Sequence, residues 1–130
     1  MDSIYLFYGE EKYLIEEAIK KIKKNFNGLI DGINFIKIDE NNITRLIDDI
    51  KTPSFGLDKK LIIARNTGVL RKQGKKKNTD LVNLSEKIAK FFEEEFDSII
   101  EGNVIIFVED EIEKNTLYKF IEKKWKSYKF

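Results

Sequence analysis

Three consecutive acidic residues, Glu109, Asp110 and Glu111, follow the most apolar stretch of the 130-residue chain, residues 104–108. An apolar strand that ends in Asp-Glu is typical of the magnesium-binding carboxylates of ATPases. Acidic residues also commonly end strands and begin helices, so the pattern alone leaves both interpretations open. A nucleotide-dependent enzyme that uses Glu109 and Asp110 is therefore one hypothesis for this chain.

A nucleotide would need a phosphate-binding loop between the first strand and the first helix. At that place the chain has one glycine, Gly9, followed by Glu10, Glu11 and Lys12. A phosphate-binding loop needs several glycines and a Gly-Lys-Ser/Thr ending, and both are missing from this turn. Two acidic residues at a helix N-terminus stabilise the helix and repel phosphate. We therefore expect no nucleotide cofactor, no metal-binding residues and no catalytic residues.

The chain contains neither cysteine nor histidine. This excludes disulfides, thiolate nucleophiles and Ser-His or Cys-His catalysis, and zinc is not expected without its usual ligands. The 24 basic and 23 acidic residues give a net charge of +1, so the overall charge does not favour nucleic acid or a membrane. The sequence shows no secretion signal and no apolar run long enough to span a bilayer. We expect a cytoplasmic protein.

One segment, residues 71–77, concentrates basic side chains, namely Arg71, Lys72, Lys75, Lys76 and Lys77. Such a run can neutralise the phosphates of a nucleic-acid backbone. It lacks the interleaved aromatic side chains that stack on bases. A solvated loop is the other interpretation. A nucleic-acid-binding module that acts through this loop is a second hypothesis.

A turn at Pro53, Ser54, Phe55 and Gly56 follows a predicted helix and precedes a predicted strand. Proline ends the helix, because it fixes its own backbone and keeps the residue before it out of the helical region. Turns run over the surface, so Phe55 is either an exposed anchor for a partner or a side chain that folds back into the core. The spacing alone leaves these two interpretations open.

The regular elements that surround these residues follow from apolar patterns. Strands are predicted at residues 4–8, 33–38, 61–64, 104–108 and 127–130. Helices are predicted to start at Glu10, to cover residues 43–50, to run from Asp80 through Phe96, and to cover residues 115–124. The buried stripe of the first helix is predicted to contain Tyr13, Leu14, Ala18, Ile19 and Ile22. Alternating strands and helices predict a single α/β domain over residues 1–130, with a parallel sheet covered by helices on both faces.

In their order and spacing these segments resemble the N-terminal domain of the delta subunit of bacterial DNA polymerase III, a clamp-loader component. The resemblance is carried by Ile4-Tyr5-Leu6-Phe7-Tyr8-Gly9-Glu10-Glu11 and the following helix, by Asn34-Phe35, by Thr52-Pro53-Ser54-Phe55-Gly56 before Lys60-Leu61-Ile62-Ile63, and by residues 104–109. It covers nearly the whole chain. It implies a three-layer AAA+-like fold, similar to P-loop NTPases, that lacks a functional P-loop. It also implies an excised domain, whose C-terminal helical domains are absent from this sequence.

The family's delta subunit binds the ring-shaped DNA sliding clamp, the beta subunit, and helps to open it for loading onto DNA. Its binding segment carries two consecutive hydrophobic residues after the second helix, which map to Ser54 and Phe55. Because Ser54 is polar, Leu57 is the candidate for the second apolar contact, and Pro53 holds the geometry. The resemblance therefore implies a partner-binding site of Phe55, Ser54, Leu57 and Pro53.

The resemblance further implies that this domain has no active site of its own. It would belong to the DNA polymerase III holoenzyme, a DNA-directed DNA polymerase and nucleotidyltransferase. The other clamp-loader subunits would be contacted through the absent C-terminal domains, DNA contact would be indirect at most, and no membrane is involved. Arg65 and Asn66 end the strand that carries the magnesium carboxylates in active relatives.

Overall fold

The computed structural model describes residues 2–54, 56, 59–71, 78–125 and 127–130. Within these residues, five strands form one sheet in the order β2-β3-β4-β1-β5. The strands are β1 (Ile4–Tyr8), β2 (Phe35–Ile38), β3 (Lys60–Arg65), β4 (Asn103–Glu109) and β5 (Ser127–Lys129). The helices are α1 (Lys12–Lys23), α2 (Leu46–Lys51), α3 (Thr79–Glu94), α4 (Phe96–Gly102) and α5 (Thr116–Lys124), and a short 3-10 turn (Ile43–Arg45) leads into α2.

All strand pairs of the sheet are parallel, as predicted. β4 is buried along its whole length and pairs with β3 on one side and β1 on the other. Ile105 of β4 lies opposite Ile62 of β3 and Ile4 of β1. Strands covered on both faces are apolar at nearly every position, because each side chain meets a helix layer. The continuous apolar runs in β3 and β4 therefore follow from their central place.

The two faces of the sheet are covered unequally. On one face, α1 packs Ile15, Ile19 and Ile22 against the sheet. The other face carries the larger core, in which the rings of Phe92 and Phe107 lie 6.1 Å apart. Phe92 and Phe107 are both fully buried in this core.

The predicted stripe of α1 was partly wrong. Tyr13 is 74% exposed and Leu14 is 49% exposed, whereas Ile15 is buried. The residues that face the sheet are spaced by four and three, at Ile15, Ile19 and Ile22, which matches 3.6 residues per turn. Tyr13 and Leu14 lie beside this stripe at the start of the helix, so they remain at the surface.

The long helix predicted through Phe96 is two helices. Glu95 leaves helical geometry, with φ −110° and ψ 25°, and both ends α3 and begins α4. The amide of Glu95 still donates to the Phe91 carbonyl at 2.9 Å, and the Ile99 amide donates to the Glu95 carbonyl at 3.0 Å. The apolar spacing continues across this break, which is why the sequence pattern did not reveal it. The break lets the Phe96 ring stack on Trp125 at 5.2 Å.

The remaining boundaries differ from the predictions by one or two residues. The second strand begins at Phe35 because Asn34 holds the preceding turn: its side chain accepts from the Ile30 amide at 2.6 Å and donates to the Gly28 carbonyl at 2.7 Å. The α3 helix begins one residue before Asp80 because Asn78 caps it, accepting from the Asp80 amide. None of the helices in the described part of the chain is long and apolar enough to cross a membrane.

Candidate functional site

The chain leaves α2 at a fixed point before the predicted turn. Thr52 has extended geometry, with ψ 129°, as expected for a residue that precedes proline. Its amide and its hydroxyl both donate to the Asp48 carbonyl, at 3.0 and 2.8 Å. The helix therefore ends with a satisfied carbonyl, and Pro53 prevents it from continuing.

Lys60, the first residue of β3, caps the C-terminal end of α2 with its side chain. Its side chain is only 2% exposed. Its ammonium group donates to the carbonyls of Asp49, Ile50 and Thr52, with 3.0 Å to Ile50. Burial lowers the pKa of Lys60 from its ordinary value, and the Asp49 carboxylate opposes that shift. A cation at this place also complements the negative end of the helix dipole.

Lys59, the neighbouring residue, caps the C-terminal end of a different helix, α4. Its ammonium group donates to the Ile100 carbonyl of α4 at 3.1 Å. In the same helix end, the side-chain amide of Asn103 donates to the Ile99 carbonyl at 3.2 Å. Lys60, the first residue of β3, and Lys59, directly before it, thus hold the C-terminal ends of α2 and α4. The space between those ends is a surface cavity of about 310 Å³, which Pro53 and Ser54 help to line.

The structure places part of the predicted partner-binding site. Pro53 is exposed and Ser54 is half-buried, directly after α2 and beside the cavity. Gly56 has φ +85°, a left-handed geometry that favours glycine, and a Cβ there would meet open space. Phe55 and Leu57, the predicted apolar contacts, lie outside the described residues, as do Lys72, Lys75, Lys76 and Lys77 of the basic loop.

The carboxyl edge of the sheet is the side at which the parallel strands end. There, the turn after β1 is filled by another part of the same chain. The amides of Glu10 and Glu11 donate to the Phe130 carbonyl at 3.2 and 3.5 Å. The Phe130 amide in turn donates to the Tyr8 carbonyl at 2.7 Å. Gly9 has φ +123°, and a Cβ there would lie 2.0 Å from the Phe130 oxygen. The backbone amides that surround a phosphate in a nucleotide-binding domain here bind a main-chain oxygen.

The acidic run after β4 is divided between core and solvent. Glu109 is 1% exposed, and neither carboxyl oxygen has a hydrogen-bond partner of ordinary geometry within the described residues. Burial raises the pKa of Glu109 to about 8; the Arg71 charge opposes this shift, the Asp110 charge adds to it, and the nearby Thr67 amide opposes it. Asp110 is exposed and lies 3.8 Å from the Lys12 ammonium. The two carboxylates of the first hypothesis therefore face different surroundings.

Arg65 and Asn66, which end β3, have structural partners. The guanidinium group of Arg65 forms a bidentate pair with the Glu16 carboxylate of α1, with 3.2 Å for its longer bond. The side-chain oxygen of Asn66 accepts from the Asp110 amide at 3.3 Å. Asn66 also has φ +47°, a left-handed geometry that asparagine tolerates better than most residues. These side chains join the carboxyl ends of β3 and β4 to neighbouring elements.

The sequence patterns did not identify Lys60 as the residue that holds the end of α2. The available signal was a charged residue at the first position of a strand that is otherwise buried, directly before Leu61-Ile62-Ile63. A lysine in that position must bring its ammonium group to acceptors or leave it in the core. The helix that stops at Thr52 supplies free carbonyls nearby in sequence. Together the two signals predict a lysine-capped helix end.

The comparisons with known proteins agree with this architecture. In fold the chain is similar to the DNA clamp loader delta protein YqeN of Bacillus subtilis, with a TM-score of 0.73, 20% identity, and coverage of 98% of this chain and 38% of that one. It is also similar to a DNA polymerase III gamma-subunit-related protein of Thermotoga maritima, with a TM-score of 0.56, 12% identity, and coverage of 99% and 41%. The predicted AAA+-like α/β fold is thereby confirmed.

The chain spans about two-fifths of the length of these two structures. No curated protein sequence matches it. The model of the family described as DNA polymerase III, delta subunit, matches residues 5–129. The resemblance seen in the sequence is confirmed by this match, and the chain belongs to the DNA polymerase III delta subunit family.

Proposed function

We propose that this chain is a clamp-binding domain of a clamp-loader subunit, and that it grips the DNA sliding clamp through residues 53–57. The observation that carries the proposal is the fixed exit of the chain from α2. Lys60 and the Thr52 side chain hold that exit on both sides, and the exposed Pro53 follows it at the surface. A segment presented from a rigid support loses less conformational entropy on binding.

In this proposal Phe55 is the main anchor and enters a hydrophobic pocket of the clamp. Ser54 and Leu57 lie beside it, and Pro53 maintains the backbone geometry. Full burial of a phenylalanine side chain contributes about 1.5–3 kcal/mol. An apolar anchor of this size at the centre of an interface is a typical hot spot.

Opening of the clamp follows if the domain binds the open ring more tightly than the closed one, which shifts the population toward the open form. Contacts with other loader subunits belong to parts of the longer family proteins outside these 130 residues. DNA is then reached only through the assembled loader, in the cytoplasm. This domain supplies the grip on the ring, and the assembled loader supplies the nucleotide chemistry.

The carboxyl edge of the sheet supports this choice over the nucleotide-dependent alternative. The Phe130 carbonyl occupies the amides of Glu10 and Glu11, where a phosphate would have to bind. Glu109 is buried, and Asp110 pairs with Lys12 at the surface. Nucleotide binding would require the β5 end to move away before any phosphate reached those amides.

The proposal is tested by measuring the affinity of the 130-residue chain for the sliding clamp encoded in the same genome. Phe55→Ala is expected to weaken binding by about thirty-fold, the equivalent of about 2 kcal/mol for a central aromatic anchor. Tyr13→Ala is the matched control, since Tyr13 is an aromatic residue that is 74% exposed on α1. We expect no change in affinity from the control. Wild-type affinity of Phe55→Ala would reject Phe55 as the anchor, and no binding by the unmodified chain would reject the function.

A further inference from the structure

Burial of Lys60 requires desolvation of its ammonium group, and the contacts of that group explain why the fold tolerates it. An ammonium group in a protein interior is costly unless its donors are satisfied. Lysine has three donors, and Lys60 directs them to three backbone carbonyls, those of Asp49, Ile50 and Thr52. Hydrogen bonds that involve a charged group are also stronger than those between neutral groups.

The three acceptors lie on both sides of the helix end. Asp49 and Ile50 belong to the last turn of α2, whereas Thr52 is the first residue beyond it. The amide and hydroxyl of Thr52 are bound to the Asp48 carbonyl at the same time. The Thr52 peptide is therefore held by its own helix through one set of atoms and by β3 through another.

This arrangement fixes the direction in which the chain leaves α2. Helix ends ordinarily fray, because their last carbonyls lack partners within the helix. Here those carbonyls are bound to a side chain of β3, which pairs with β2 and β4 in the sheet. Pro53 adds a backbone angle that is fixed by its ring. The position at which the partner-binding segment begins is thus fixed by contacts with the sheet and not only by a six-residue helix.

We propose that Lys60 is a positioning residue for clamp binding: by holding the carbonyls on both sides of the α2 exit, it fixes the point and the direction in which the chain leaves Thr52 for Pro53. The inference rests on the proposed function of residues 53–57. Lys60 itself is buried and does not touch the partner; it acts through the residues that follow Thr52. Loss of its ammonium group leaves the anchor in place but removes the constraint on its direction, so more of the binding energy is spent on ordering the segment.

The test compares Lys60→Met with Lys59→Met in clamp affinity. Methionine keeps the apolar stem and removes the ammonium group. Lys59→Met is the matched control, because Lys59 caps α4 through Ile100. Lys60→Met is expected to weaken binding about ten-fold or more, in line with the loss of charged hydrogen bonds. Lys59→Met is expected to stay within about two-fold of the wild-type affinity.

Two readouts separate positioning from general stability. In the free domain, hydrogen exchange at the Thr52 amide is expected to accelerate in Lys60→Met while exchange in β4 stays slow. In a double-mutant cycle, Phe55→Ala is expected to reduce clamp affinity less in the Lys60→Met background than in the wild type. The reason is that an anchor whose direction is no longer fixed contributes less to binding. Ile121→Val, a mild core truncation in α5, serves as a stability control and is expected to leave the affinity unchanged.

If Lys60→Met does not fold, Lys60→Gln takes its place. Its shorter, uncharged side chain has two donors and cannot reproduce the three contacts of the ammonium group, so binding is still expected to weaken. A folded Lys60 variant that binds as wild type, or strict additivity with Phe55→Ala, would overturn the positioning role while leaving the clamp-binding function intact. Failure of the unmodified chain to bind the clamp would overturn both.

Discussion

The two sides of the sheet at which the parallel strands end and begin, its carboxyl edge and its amino edge, use their backbone groups differently. At the carboxyl edge, the Phe130 carbonyl fills the turn after β1, and the chain binds itself where a nucleotide-binding relative would bind phosphate. At the amino edge, Lys59 and Lys60 bind the ends of two helices and leave Pro53 exposed beside a cavity. Ligands of open α/β sheets ordinarily bind at the carboxyl edge. In this chain the backbone amides of the turn after β1 are bound by the Phe130 carbonyl, and the candidate partner site lies at the other edge.

The largest effect is expected from Gly9→Val, which tests whether the carboxyl edge is closed by direct packing. A Cβ at Gly9 would lie 2.0 Å from the Phe130 oxygen, and its φ of +123° is strained for any other residue. We expect the free energy of unfolding to fall by about 4 kcal/mol or more, through displacement of β5. Chemical denaturation measures the change.

Gly28→Ala is the control for that experiment, because a Cβ at Gly28 meets open space. It is expected to change the stability by less than about 0.5 kcal/mol. Equal stability of Gly9→Val and wild type would show that β5 does not close this edge.

The next effect concerns Glu109 and the dependence of stability on pH. The pKa of Glu109 is raised to about 8 in the folded domain from an ordinary value of 4.5, mainly by burial. The folded state therefore keeps a proton that the unfolded state releases, and stability falls as the pH rises from about 4.5 to about 8. Each pKa unit corresponds to about 1.4 kcal/mol, so the loss amounts to a few kcal/mol.

Glu109→Gln removes this ionisation and is expected to flatten the stability profile between pH 5 and 8. Asp110→Asn, which alters the exposed neighbour, is expected to leave most of the slope in place. Thermal unfolding across this pH range distinguishes the variants. A wild-type slope in Glu109→Gln would assign the pH dependence to other groups.

The smallest effect is expected at Arg65, which ends β3 and pairs with Glu16 of α1. Both side chains are about half exposed, and an ion pair of this kind contributes about 0.5 kcal/mol. Arg65→Gln should lower the unfolding free energy by about that amount and should not change clamp affinity. A large loss of affinity would place part of the partner site at the carboxyl edge and break the contrast between the two edges.

The fold was largely predictable because its signals are local. The apolar runs at β1, β3 and β4 reflect burial on both faces, and Pro53 marks the end of α2 by a steric rule. The break at Glu95 was not predictable in the same way, since the apolar spacing continues through it. Tyr13 and Leu14 were misplaced because two adjacent apolar residues fit the edge of a helical stripe without being buried.

The candidate site was less predictable, because its contacts join distant parts of the chain. Hydrophobic periodicity describes where Lys60 lies but not which carbonyls its ammonium group reaches. The contact between Phe130 and the turn at Gly9 joins residues from opposite ends of the sequence, and no local pattern encodes it. Pro53, Ser54 and Phe55 were predicted instead from turn chemistry and family resemblance.

The place of β1 in the sheet has a consequence for how the domain is made. β1 lies between β4 and β5, so among the five described strands the first in the sequence pairs with the last two. Contacts of such long sequence separation slow folding, since the loop must close before the pairing is gained. The apolar β1 therefore has no partner in the sheet until β4, residues 103–109, has been synthesised, and its pairing is complete only after β5 follows. During that interval β1 is exposed to aggregation and to chaperones.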